Sequence, residues 1–535
     1  MRDPAIRTFL QLAPLVQRAC LSLVVCGSIA MFAGCAVGPD FETPQPPWVA
    51  SITPRPLSAP GAAAGETQRY KTDVDIPGAW WGLFHSPELN SLVERALNDN
   101  SDLQAAQAAL RIARSNVEAQ RGFFFPTIES SYSVDKQKVA SSVLVPSTPT
   151  ATPFYTLQTA QLAVSYVPDV FGGNRRQVES LEAQADAQRF QLEATYLTLT
   201  SNLAVAAIQE ASLRGQIKTT KHILVIQKEL LALLRRQFGL GQVGKIDVAT
   251  QEAAVAQVEQ TLPLLEKQLA QQRDLIVALT GHLAGEGLPE HFEFSSLHLP
   301  ADLPVSIPAA LVEQRPDIRA AEGNLHSASA QVGVAIANRL PQINLTGTNI
   351  GKQAAGFGDL FVCGATCTLW NLAAGGAQVL FDGFTLEQKQ RAAEAGLDQA
   401  AAQYRTTVVT AFQNVADALQ ALEADARALR AAVASERASE RVLKLTETQL
   451  ELGQVSALQV LVAEQIYLQA SLTAVQTKAV RYSDTVALFQ ALGGGWWNRS
   501  DVELDTKGRW WTQVEITDDT ARPTVTQAAC KESTC

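Results

Sequence analysis

Seven cysteines and six histidines are the side chains best suited to chemistry in this 535-residue chain, and their spacing limits what they can do. No His-Glu-x-x-His and no Cys-x-x-Cys occurs, so the sequence offers neither a zinc-protease helix nor a paired-thiol site. His291 and His298 flank Phe294 in a short Pro-bounded linker, where solvated loop residues are the expectation. Gly356-Phe357-Gly358 lacks the third glycine and the strand context of a nucleotide loop. Cys363 and Cys367 stand close enough to pair or to remain idle thiols. Cys35 differs from all of these, because the small residues Ala33-Gly34 precede it at the end of an apolar run, Leu21 to Phe32. Its thiol suits acylation. No catalytic residue, metal ligand or cofactor site emerges, and an enzyme is not expected.

The elements that would position Cys35 begin with Arg2, Arg7 and Arg18 ahead of that apolar run. The run is shorter than the roughly 20 residues a spanning helix needs, so residues 1–34 read as a signal peptide. The site resembles that of bacterial lipoproteins, in which the mature chain starts at a lipidated cysteine; Phe32 departs from the usual aliphatic residue. Ala36, rather than an aspartate, implies delivery to the outer membrane. Residues 35–79 are rich in Pro, Ala and Gly and are expected to form an extended, lipid-anchored tether. A net charge of −10 leaves no basic footprint for nucleic acid.

Beyond the tether the chain repeats itself at an offset of 212–215 positions, which predicts two tandem structural copies. Ser101-Asp102-Leu103-Gln104-Ala105-Ala106 matches Pro316-Asp317-Ile318-Arg319-Ala320-Ala321, and Phe125-Pro126-Thr127-Ile128 matches Leu340-Pro341-Gln342-Ile343. Gly241-Gln242-Val243 matches Gly453-Gln454-Val455, and Ala278-Leu279-Thr280-Gly281 matches Gln490-Ala491-Leu492-Gly493. The first copy spans 80–299 and the second 300–495, followed by a polar tail, 496–535. Helical spacing from Pro87 to about Arg121 gives way at Pro126 to the alternation Ile128, Ser130, Tyr132, Val134, a hairpin near 127–168. A long helix, 174–238, then turns near 239–244 and returns as 245–280, with Pro263 as an expected kink. The second copy has a helix at 309–340, a hairpin near 342–381, a long helix 384–451 and a returning helix 457–492. In each copy the two shorter helices together match the long one, so stacked end to end they would form its neighbour. Leu397, Ala401, Tyr404, Val408, Ala411, Val415, Ala418, Leu422 and Leu429 make a heptad seam broken only by Asp425. A partial second stripe beside it suits a closed cylinder of helices.

Two hairpins give four strands, too few to close a barrel, and an open sheet in lipid leaves backbone groups unsatisfied. The barrel must be shared among chains, two at the minimum or three for twelve strands. The chain resembles the TolC/NodT-like outer-membrane efflux factors, which include lipoproteins of efflux systems with pumps of the resistance-nodulation-division (RND) type. The matching segments are Cys35-Ala36-Val37-Gly38-Pro39-Asp40-Phe41, Trp80-Trp81-Gly82-Leu83-Phe84 with Pro87-Glu88-Leu89-Asn90, Arg315-Pro316-Asp317-Ile318-Arg319-Ala320-Ala321-Glu322, and Ala491-Leu492-Gly493-Gly494-Gly495-Trp496.

The resemblance implies a mainly α chain with membrane β, assembled as a trimeric 12-stranded outer-membrane β-barrel continuous with a long periplasmic α-helical barrel. It implies an exit duct for small molecules, with a periplasmic adaptor and an inner-membrane RND-type pump as partners. Protein secretion, heavy-metal export and a non-conducting envelope lipoprotein are the alternatives. The turns at Gly241 and Gly453 would be the periplasmic tips. Positions that hold acidic rings in relatives carry Gln459 and Val462, so an acidic gate is not expected. Leu458 matches an apolar gate position, or packs in the seam; Asp247 matches a helix latch, or caps its helix. An oxidising compartment permits Cys363 and Cys367 to pair in the second hairpin's outer loop. Cys530 and Cys535 end the tail without an assignable role.

Overall fold

Two proline-free stretches rich in Ala, Gln and Leu dominate the computed structural model, which describes residues 36–45, 61–63, 66–71, 74–138, 154–305, 308–499, 502–504 and 512–514. They form helices of 67 residues each, Gly173–Gly239 and Thr385–Glu451, as expected of side chains that lose little freedom in a helix. Each starts at an aspartate that accepts from otherwise unpaired amides. Asp169 accepts from the backbone N–H of Asn174 at 2.9 Å and of Arg175 at 2.8 Å, and Asp382 from those of Thr385 at 3.0 Å and Leu386 at 2.8 Å.

The chain divides into two compact units. The first joins residues up to Gln45 with Ala106–Gln191 and Asp317–Thr407. Its sheet runs in the order Thr127–Lys138, Phe154–Tyr166, Gln342–Ala354, Thr368–Ala377, with every neighbouring pair antiparallel. Behind it, Pro316–Ala337 packs on the first long helix through small residues, with Ser180 Oγ and Ser327 Oγ 2.8 Å apart. The segment after Ala36 is fixed in this unit, because the buried Arg176 donates to Val37 O at 3.1 Å and to Asp40 Oδ1 at 2.7 Å.

The second unit takes Pro46–Ala105, Leu192–Pro316 and the chain from Val408 onward. Trp80 stacks on Phe489 at 5.5 Å, and Trp496 Nε1 donates to Gln314 O at 2.6 Å. Three sequence expectations change here. The entry helices break, into Pro87–Asp99 and Ser101–Arg121 in the first half and Pro308–Gln314 and Pro316–Ala337 in the second. The breaks serve the returning helices Lys245–Leu279 and Ala457–Ala491, whose last carbonyls need donors. Asn100 Nδ2 donates to Leu279 O, and Arg315 Nη1 to Ala491 O, each at 2.9 Å. Gly281 (φ +81°) and Gly493 (φ +94°) close these junctions; a Cβ there would stand 2.4 Å from Asp99 O and 2.5 Å from Gln314 O. Lys245–Leu279 holds Pro263 in its interior. The tether is no free spacer from Glu66 onward, since Glu66–Lys71 adds in parallel to Asp302–Pro304 and buries Gln68. Proline-rich composition disfavours helix but leaves short strand addition open. Nor is the tail polar at its start, where Trp496 and Trp497 are buried.

Candidate functional site

The strand register sorts the sheet's side chains into two unlike faces, because neighbours across a pair point the same way and alternate along each strand. One face carries Ile128, Tyr132 and Val134, then Leu162 and Val164, then Leu345 and Ile350, then Trp370 and Leu372. The other carries Glu129, Ser131, Ser133 and Asp135, then Thr159, Gln161 and Ser165, then Asn344 and Thr346, then Asn371. A slip in Gln342–Ala354 between Thr348 and Gly351 keeps the apolar face in phase, odd residues before it and even residues after. The two outer strands each have one neighbour, so the sheet ends in open edges. At its helix end Phe123, Phe125, Phe381 and Phe384 are exposed, the last two edge to face at 6.0 Å. Aromatic rings of this kind suit a membrane interface. Among the described residues no helix is long and apolar enough to cross a membrane.

At the far end of the second unit the helices reverse in two turns built alike. Gln242 N donates to Gln237 O at 2.9 Å and Gln454 N to Gln449 O at 2.8 Å, the six-to-one bond of a Schellman cap. Gly241 and Gly453 both take φ +74°, with open space where a Cβ would lie, so glycine is required by conformation and not by crowding. Replacing both by alanine is expected to cost roughly 1–2 kcal/mol at each site, read by thermal unfolding of the purified protein; an unchanged midpoint would refute the strain argument. Leu230, Leu234, Leu443, Val460 and Ala463 form the core behind the turns.

The sequence-derived tip residues separate into different roles. Asp247 caps its helix, its Oδ2 accepting from Gly244 N at 2.9 Å. Gln459 is exposed, its backbone N–H bonded to Ser456 O at 3.0 Å. Leu458 is 58% exposed and Val462 48%, so each leaves about half of its surface open. Val462 and Ile466 line a groove of about 440 Å³ with Ala432 and Gln469. Cys363 and Cys367 are bonded in the loop between the last two strands of the sheet. Cys35, the expected lipidation site, lies outside the described residues, as do Cys530 and Cys535.

Sequence reading missed two buried polar groups. Arg481 is fully buried beside Asp425 and Asp484, and burial, then Asp484, pushes the Asp425 carboxyl up to about 7. Glu464 is equally buried, and desolvation pushes its carboxyl up to about 7. The break at Asp425 in the apolar seam is the signal that points to the first; Glu464 has none beyond its place in a returning helix. Among the described residues no cluster of His, Cys, Asp and Glu could hold a metal ion.

A family model described as "Outer membrane efflux protein" matches residues 92–282 and 307–494. The pyoverdine export outer membrane protein OpmQ of Pseudomonas putida is 29% identical over 85% of this chain and 94% of its own length. The toluene efflux pump outer membrane protein TtgC of Pseudomonas putida is 28% identical over 90% and 97%. Among solved structures, the outer-membrane channel OprN superposes with a TM-score of 0.76 at 27% identity, over 86% of this chain and all of that one.

Proposed function

Because the chain belongs to the outer membrane efflux protein family, we propose that it is the exit duct of a tripartite efflux pump, through which small molecules leave across the outer membrane. Its place is the outer membrane, as for its relatives. The observation that carries the duct reading is the two-faced sheet, apolar on one side and polar on the other, with open edges that lipid does not tolerate. Three copies edge to edge would give twelve strands around a polar lumen. The long and returning helices would form the periplasmic tunnel, each half of the chain supplying one hairpin and one set of helices. Cys35 would carry the lipid. A periplasmic adaptor and an inner-membrane RND-type pump would complete the route. Relatives named for pyoverdine and toluene export favour small organic cargo.

The exposed Leu458, just past the second turn, is where the closed tip would narrow, since three copies would bring three such side chains together. Single-channel recording in planar bilayers tests both ideas. The unmodified protein should conduct in small steps and Leu458→Ala in larger ones. A protein that never conducts would remove the duct, and equal steps would remove Leu458 from the gate.

A further inference from the structure

The charged residues of the sheet divide by sign between its faces. Thr127–Lys138 carries Glu129, Asp135, Lys136 and Lys138, Gln342–Ala354 carries Lys352, and the other two strands carry none. Glu129 and Asp135 share the polar face. Lys136, opposite Thr156, and Lys138, opposite Phe154, continue the series of Ile128, Tyr132 and Val134 on the apolar face. Lys352 stands opposite Ala160, itself opposite Tyr132, on that same face. Lys136 and Lys138 sit at the loop end of the first hairpin, and Lys352 near the loop end of the second, level across the paired strands with Tyr132. Lys138 is in the last pair before residue 139, and Lys352 pairs with Thr368, the first residue of its strand. None of them forms an ion pair among the described residues. Lys138 Nζ lies 5.4 Å from the centroid of the Phe154 ring.

A lysine facing hydrocarbon costs roughly 2–4 kcal/mol at mid-membrane and far less near the headgroups. Its four-carbon stem lets the ammonium reach a polar layer while the methylenes stay in lipid. Distances along the strand agree. From the exposed Phe125 to Lys136 the chain covers roughly 37 Å at a strand's rise. With a barrel strand's tilt of about 40° that is roughly 28 Å of membrane thickness, close to the apolar band of about 25 Å in outer-membrane barrels.

We propose that Lys136, Lys138 and Lys352 form a basic rim that binds the phosphate groups of outer-leaflet lipid. The proposal rests on the sheet lying in the membrane as part of the duct. The rim is separate from conduction, because the acidic side chains and the lysines occupy opposite faces.

The test titrates the purified full-length protein with a bisphosphorylated diglucosamine lipid in detergent at low salt, counting bound lipid by native mass spectrometry. The Lys136→Gln, Lys138→Gln, Lys352→Gln triple variant should bind roughly a hundredfold more weakly, at about fivefold per lysine. The corresponding arginine variant should bind as the unmodified protein does. Millimolar inorganic phosphate should not displace the lipid; full displacement would assign the site to free anion and overturn the lipid rim, as would equal binding by the glutamine variant or failure of arginine to restore it. In neutral bilayers the glutamine variant should conduct normally. Absence of conductance from the unmodified protein would count against the duct, whereas unchanged lipid binding by the glutamine variant counts only against the rim.

Discussion

Arg481→Leu should destabilise the protein by about 1–3 kcal/mol, the cost of leaving a buried polar group without its hydrogen-bond partner. Arg481 has no exposed surface, and its Nε donates to Gln68 Oε1 at 3.0 Å. Gln68 is also fully buried, and its Nε2 donates to Thr485 Oγ1 at 3.3 Å, so one guanidinium ties the added strand to the second returning helix. The same positive charge faces Asp425, whose affinity for a proton is raised by burial and by Asp484 and lowered by Arg481. Leucine removes the hydrogen bond to Gln68 and the positive charge that opposes protonation of Asp425. Arg481→Lys keeps the charge but not the planar fork, and should lose less. Asp425→Asn in the Arg481→Leu background should recover part of the loss, because the two side chains belong to one network. Thermal unfolding reads all three; a midpoint for Arg481→Leu within a degree of the unmodified protein would mean that the guanidinium is dispensable.

Local signals made much of this fold legible. The long helices are free of proline throughout, and the change from a period near 3.6 to strict alternation after Pro126 follows from where side chains must point. Gly241 and Gly453 are visible as turn residues because their left-handed conformation penalises any other side chain. The helix breaks were half legible. Pro316 disfavours helical geometry at Arg315, whereas Asn100 becomes a break only because Leu279 O requires a donor. The pairing of Glu66–Lys71 with Asp302–Pro304 had no local signal, since its partner lies more than 200 positions away and spans three residues. The face parity of the sheet could be read within each strand, but the common face of Lys136 and Lys352 required the register across three strands and the slip before Gly351. Arg481 and Glu464 were hidden for a related reason. A charged residue in a helix reads as solvated until the neighbouring helices cover it.

Glu464→Gln should stabilise the protein at pH 8 and flatten its stability profile between about pH 4.5 and 7. The two halves of the chain explain why. Arg235 and Glu252, on the first long and returning helices, pair at 2.8 Å. Positions 212 residues further on hold Glu447 and Glu464, so the second half has a like-charge pair where the first has an ion pair. Glu464 is fully buried, and neither of its oxygens has a well-aligned hydrogen-bond partner. Desolvation raises its carboxyl to about 7; the nearby Gln227 amide opposes this, Glu447 adds to it, and the Gln251 amide opposes it more weakly. Glu447 is itself raised by burial and by Glu451 and Glu229, with Lys444 and His222 acting in the other direction. The folded state binds the Glu464 proton more tightly than the unfolded chain, so stability is full below the ordinary value of 4.5 and falls as pH rises toward 7. The folding equilibrium weakens by up to about tenfold per pH unit in that window. Glutamine has the shape of the protonated side chain and nothing to ionise, so it removes the slope. Denaturant unfolding at pH 5, 6, 7 and 8 separates the cases, and a variant as pH-dependent as its parent would show that the carboxyl titrates in the folded state much as it does in the unfolded chain. Because Gln227 and Gln251 belong to the first half and Glu464 to the second, the charge that forms above neutral pH loosens the packing between the two halves close behind their turns, where the exposed Leu458 and Val462 also stand.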